Sequence, residues 1–256
     1  MRYLIKFSYD GSNYSGFQTQ KGLITIQEEL EKALTKINNG QPTTITATGR
    51  TDKGVHALCQ YGHADINVNI NEKKLKRALN SNLPEDIHVI ETKEVNNDFH
   101  ARYNVKSKEY KYYMNLGEYN PLERKYIFQY CYKLNIEAMK EAIKYFIGIH
   151  DFRAFMTDNK EKENCVREVY SADIVEKDEK LIFTFRGNGF LRYQIRNMVG
   201  ILIRVGENKL EPSKIEEIIE SKDRTQSGKT APSEGLYLTD IEYWQISNNK
   251  YNKYMK

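Results

Sequence analysis

Only three cysteines stand in 256 residues, at positions 59, 131 and 165, and no two have Cys-x-x-Cys spacing. That removes the ligand pattern of a structural zinc site. An odd count without a signal-peptide pattern fits reduced thiols rather than a disulfide framework. No run approaches the ~20 apolar residues that a membrane span needs. The opening Met1-Arg2-Tyr3-Leu4-Ile5-Lys6-Phe7 is too short and too alternating for a signal sequence, so a cytoplasmic protein is expected. Gly187-Asn188-Gly189 joins a strand to a helix, but Arg192 stands where a dinucleotide fingerprint needs its third glycine. No Gly-Lys-Ser/Thr closes that loop, which removes the phosphate-loop reading as well. His56, Cys59 and His63 are metal-ligand types whose spacing matches no metal site. No cofactor is expected.

The composition that remains suits a soluble globular chain: 39% hydrophobic and 29% charged residues, enough for one large domain or two small ones. The net charge of +4 is a weak argument for a nucleic-acid partner. Its distribution says more. Between Lys180 and Gly206 stand Lys180, Arg186, Arg192, Arg196 and Arg204, with no acidic residue. Tyrosines number 19, and positive charge beside flat aromatic faces is the composition of an RNA-contacting surface. An AT-rich genome accounts for much of the tyrosine count, but not for the clustered arginines.

Hydrophobic periodicity orders the first hundred residues as strand, helix, strand, strand, helix, strand. The strands are residues 2–9, Thr43–Thr48, a half-apolar run ending near Ile66, and Ile87–Val95. Thr25 with Glu28 fits a capping box for the first helix, and Asn71 caps the second. This order is the ferredoxin-like split β-α-β pattern, shared with RNA-recognition modules. Lys108-Glu109-Tyr110-Lys111-Tyr112 reads as a strand with Tyr110 and Tyr112 on one face. Asn135 caps a third helix. Residues 166–176 and 181–186 pair as strands. Leu191, Ile195, Met198, Val199, Leu202 and Val205 share one helix face, and Arg192 and Arg196, four apart and so one turn, share another. Pro212 opens a last helix, and the tail after Trp244 is polar.

Gly49-Arg50-Thr51-Asp52-Lys53-Gly54-Val55-His56-Ala57 packs an arginine, a carboxylate, two glycines and a histidine into a loop between strands, where catalytic groups usually sit. By itself it also reads as a polar turn. The stretch resembles GRTDAGVHA, the nucleophile motif of the tRNA pseudouridine synthase A family, with Lys53 as its one departure. Five further blocks follow in that family's order. They are Tyr9-Asp10-Gly11 to Gln20, with Phe17 in place of a tryptophan; Phe99-His100-Ala101-Arg102; the Tyr110 strand; Gly189-Phe190-Leu191 to Gly200; and Ala231-Pro232 to Leu238. The segment from His150 to Phe155 is similar to the family's HDF-x-x-F, with Asp151 expected in a loop or as a cap.

The resemblance implies an α+β fold of two ferredoxin-like, RRM-like halves. Their sheets would join into one extended, mainly antiparallel sheet with the active cleft between them. The halves would be 1–105, carrying the Asp52 loop, and 106–256. It implies Asp52 as the catalytic carboxylate, Arg50 as the motif arginine, Tyr110 against the target base, Arg196 as the partner of Asp52, and Leu236 near the uracil pocket. Lys53 is expected at an RNA phosphate. The implied activity is isomerisation of uridine to pseudouridine at positions 38–40 of the tRNA anticodon arm, by a homodimer without cofactor or membrane. Ribosomal RNA is the alternative target, and a catalytically silent RNA-binding protein the alternative class.

Overall fold

A computed structural model describes residues 1–157 and 164–244. In chain order the elements are β1 (Arg2–Tyr9), α1 (Ile26–Ile37), β2 (Thr46–Ala47), β3 (His56–Asp65), α2 (Glu72–Asn80), β4 (Ile87–Val95), β5 (Val105–Asn115), β6 (Phe128–Gln129), α3 (Ile136–Ala142), β7 (Gly148–Asp151), β8 (Val166–Lys177), β9 (Lys180–Gly187), α4 (Gln194–Gly206), α5 (Lys214–Ser221) and β10 (Leu236–Tyr243). The fold is mixed α/β with mostly antiparallel strand pairing. No helix among the described residues is long and apolar enough to cross a membrane. The chain divides into two compact units, Met1–Lys106 with the described residues from Leu238 to Trp244, and Ser107–Tyr237.

In the first unit β1 lies antiparallel between β3 and β4. β2 also pairs with β3, and β10 lies beside it. The strand expected over Thr43–Thr48 shrinks to two residues. Thr43 leaves the ladder because its N–H donates to Thr35 Oγ1 and its hydroxyl to the Gln41 carbonyl, the local competition that threonine offers to strand pairing. Helix α1 starts where its cap dictates, with Glu28 N–H donating to Thr25 Oγ1, and Asn71 caps α2 in the same way through Lys74 N–H. Tyr3, Leu4 and Ile5 are all buried, so β1 is covered on both faces rather than one. The second face is covered by Phe99, Ala101 and Val95 around Leu4, with Tyr61 and Tyr243 packed against them. The Phe99–Arg102 block is therefore a core plug of this unit.

That plug carries a pH liability. Ala101 N–H donates to His63 Nδ1 at 3.1 Å, which needs the neutral ring. Burial, then the Arg2 charge and His100, lower the His63 pKa from 6.5 to about 4. The unfolded chain therefore binds the extra proton between pH 6.5 and 4, and the fold does not. Stability should be fully present above pH 6.5 and lost as pH falls toward 4. Denaturant midpoints at neutral and mildly acid pH check this, and His63→Gln should flatten the slope across that window.

In the second unit the sheet order is β5-β9-β8-β7, antiparallel throughout, with β6 added parallel to β5. Tyr110, Tyr112 and Met114 alternate into the interior, as the period of two requires. α4 is buried on nearly all sides, and its polar Asn197 is 0% exposed. Such an amide needs partners. Asn197 Nδ2 donates to the Phe155 carbonyl, and Oδ1 accepts from Arg224 and Thr230. Arg192 does not share the helix with Arg196. Tyr193 adopts left-handed backbone angles (φ 64°), and α4 begins only at Gln194. Asp151 caps the short 3-10 turn Phe152–Phe155 through Arg153 N–H, as its position suggested. The tail after Trp244 falls outside the described residues.

Candidate active site

The Asp52 loop is laid onto the loop that follows β1. Phe17 N–H donates to the Thr51 carbonyl at 3.1 Å, and Val55 N–H to the Asp52 carbonyl at 3.2 Å. Two glycines set the fit. A Cβ on Gly11 would stand 2.0 Å from the Val55 carbonyl oxygen. One on Gly16, whose φ is +97°, would stand 3.0 Å from the Thr51 oxygen and 3.4 Å from the Asp52 carbonyl carbon. Only glycine lets these backbones approach so closely. Phe17 is interior, with its ring 6.2 Å from Phe7 and 6.5 Å from Tyr9. The change from tryptophan is thus a change in the floor beneath the loop.

Side chains tie the loop from the other sides. Tyr9 and Thr51 share a buried hydroxyl–hydroxyl bond of 2.8 Å. Burial pushes the Tyr9 phenol well up, against hydrogen bonds to Thr51 and Gln60. Gln60 Nε2 donates to the Gly49 carbonyl at 3.1 Å. His56, 2% exposed, meets the turn after β1: Gly11 N–H lies 3.2 Å and Asp10 Oδ1 3.1 Å from its Nδ1. Within this frame Asp52 is half-buried, while Arg50 and Lys53 are exposed. The arrangement presents one carboxylate from a fixed backbone, with two cations on the same loop facing water.

In the second unit Tyr110 is 8% exposed, its ring edge-to-face with Phe190 at 5.5 Å. Arg196 projects from the first turn of α4. Its Nε donates to the Ala231 carbonyl at 2.8 Å, and Ala231 N–H returns a bond to the Arg196 carbonyl at 3.0 Å. The guanidiniums of Arg192 and Arg196 lie 5.1 and 4.9 Å from the Tyr193 ring centre. The left-handed Tyr193 thus brings together the two arginines that a continuous helix would have brought together differently. The segment from Ala231 to Leu236 is fixed beside them. Tyr112 hydroxyl donates to the Pro232 carbonyl at 2.9 Å, and a Cβ on Gly235 would meet the Tyr112 ring at 2.8 Å. Leu236 is buried at the start of β10.

Sequence reasoning missed four supports: Tyr9, His56, Arg224 and Gly200. Tyr9, His56 and Gly200 were visible inside the quoted blocks, but nothing in their spacing says that Tyr9 and His56 face each other's loops or that Gly200 meets the Lys229 backbone. Arg224 donates to the Gly228 carbonyl, Asn197 Oδ1 and Thr230 Oγ1, holding the approach to Ala231. Burial lowers the pKa of its guanidinium.

The family model described as tRNA pseudouridine synthase matches residues 5–104 and 142–244. The tRNA pseudouridine synthase A of Streptococcus mutans is 45% identical over 95% of this chain and 99% of its own. That of Anoxybacillus flavithermus is 43% identical over 92% and 96%. The tRNA pseudouridine synthase A 1 of Bacillus cereus is 42% identical over 92% and 96%. A match of this extent shows that the chain belongs to the tRNA pseudouridine synthase family.

Proposed function

We propose that the protein isomerises uridine to pseudouridine in tRNA, at positions 38–40 of the anticodon arm, with Asp52 as the reacting carboxylate. The observation that carries this reading is a half-buried Asp52 on a backbone pinned at Thr51, Asp52 and Val55, in the motif where the family has its nucleophile. The reaction breaks the C1′–N1 bond, turns the uracil and joins C1′ to C5. N1 gains a proton and C5 loses one, so there is no redox change and no cofactor to supply. One ionised carboxylate suffices, either attacking as a nucleophile or taking a proton from the ribose.

The target base must first leave its stack, at a cost of a few kcal/mol. Tyr110 is assigned to the base, where stacking contributes ~1–3 kcal/mol. Arg196 is assigned to keeping the carboxylate ionised, the expected effect of a nearby guanidinium. The strand neighbours β4-β1-β3-β2 support a ferredoxin-like first half, and we extend that reading to the second. A homodimer working in the cytoplasm completes the proposal. Release of tritium from tRNA transcripts carrying [5-³H]uridine tests it, because the C5 hydrogen leaves only when the new bond forms. Release from an anticodon arm with uridine at 38–40 is the expected result, and none from any RNA would end the proposal.

Lys53 is proposed as a phosphate contact, since it is exposed and next in sequence to a carboxylate that must meet the RNA. Lys53→Ala should weaken tRNA binding, leave turnover at saturation unchanged, and flatten the slope of log affinity against log salt by about one unit. A fall in turnover at constant slope would place Lys53 in the chemistry of Asp52.

A further inference from the structure

The buried His56 has no role in the reaction above, and its surroundings give it one. Its Nδ1 faces two groups of the turn after β1, Gly11 N–H at 3.2 Å and Asp10 Oδ1 at 3.1 Å. Without a proton on Nδ1 the ring accepts from Gly11; with one it donates to Asp10. Either way the same nitrogen is held by the same turn. Asp10 is itself fixed, its Oδ1 accepting from Ser12 N–H at 2.9 Å. His56 begins β3 directly after the Asp52 loop. At the loop's other shoulder the Tyr9 hydroxyl holds Thr51 Oγ1 at 2.8 Å. Gly11 and Gly16 bring the two backbones into contact between these bonds.

We propose that His56, with Asp10 and Tyr9, is a positioning element that fixes where the Asp52 carboxylate points. The inference rests on the reading of Asp52 as the reacting carboxylate. The chain enters the Asp52 loop at a residue tied to Tyr9 and leaves it at a residue tied to Asp10–Gly11. Those two ties come from adjacent residues at the end of one central strand, so the loop's two ends are referred to a single rigid point. Gly54, at φ +77°, gives the intervening backbone the freedom to move if either tie is cut. A carboxylate displaced by about 1 Å costs on the order of 100-fold in rate without altering RNA contacts elsewhere.

The test measures kcat and KM for tritium release by wild type, His56→Leu, His56→Asn and Tyr9→Phe side by side. His56→Leu keeps the volume and removes the nitrogen. It should lower kcat by about 100-fold with KM within about threefold of wild type. In His56→Asn the amide sits near the place of Nδ1, and most of kcat should return. Rescue of kcat at constant KM is what a merely space-filling histidine would not give. Tyr9→Phe retains the ring on Phe7 and Phe17 and should lower kcat alone by about tenfold. If His56→Leu does not fold, the other two variants decide. Unchanged kcat in His56→Leu or in Tyr9→Phe, or equal losses in the Leu and Asn variants, overturns the positioning role while an active wild type leaves the isomerase reading standing. A wild type that releases no tritium from any RNA overturns both.

Discussion

Asp52→Asn is expected to bring isomerisation below about a hundredth of wild type while tRNA affinity stays within a few-fold. The amide has the shape of the carboxylate and the same room in the loop, so the bonds at Thr51, Val55 and His56 are unaffected. What disappears is the charge and the nucleophilic oxygen. A substitution that preserved folding and binding but not chemistry would isolate the carboxylate as the reacting group. Activity above that level would remove Asp52 from the mechanism, and an equal loss of affinity would mean that the side chain serves binding.

The second large effect is expected from Gly200→Ala, and its sign is opposite to the usual one. In an open helix the change stabilises by ~1 kcal/mol. In α4 the added Cβ would stand 1.9 Å from the Lys229 carbonyl oxygen and 3.1 Å from its carbon. No flexible side-chain end is available to yield, because the obstacle is backbone. Overpacking of this kind costs ~1–3 kcal/mol, and the near-overlap puts it at the upper end, so the net effect is destabilising. The melting temperature should fall by roughly 2–4 °C per kcal/mol. The approach of Lys229 to α4 also sets the reach from Arg196 Nε to Ala231, so turnover should fall in the surviving folded protein. A higher melting temperature with full turnover would show that the 229–231 segment moves aside freely.

Much of this molecule was legible in its residues because local chemistry decided it. Thr25, Asn71 and Asn135 cap helices exactly where a side-chain oxygen meets the third N–H, and β4 runs over the very span that its pattern of Ile, Val and Thr marks. The face shared by Tyr110 and Tyr112 followed from strand period alone. Where expectation and structure part, the cause is non-local or conformational. Tyr193 turns left-handed and takes Arg192 off the helix, a choice the periodicity of Leu191, Ile195 and Met198 does not record. Burial of β1 on both faces needs the Phe99–Arg102 block from ninety residues away. The return of the chain from Leu238 to the first unit leaves no mark in composition.

The candidate site was legible in a different way. Asp52, Arg50, Tyr110, Arg196 and Leu236 were singled out through motif resemblance and Lys53 as its one departure, not through spacing. What the motifs could not say is that the Tyr9–Gln20 block is the floor under the Asp52 loop. That relation is written in the Gly11 and Gly16 contacts and in the Tyr9–Thr51 and His56–Asp10 pairs, all between segments some forty residues apart.

The central claim is that this chain makes pseudouridine in tRNA, and site-resolved mapping of pseudouridine in cellular RNA, with the gene present and deleted, tests it most directly. The account predicts that pseudouridine at positions 38–40 of tRNA disappears on deletion and returns with wild-type protein but not with Asp52→Asn. Unchanged tRNA, or a loss confined to ribosomal RNA, would contradict it.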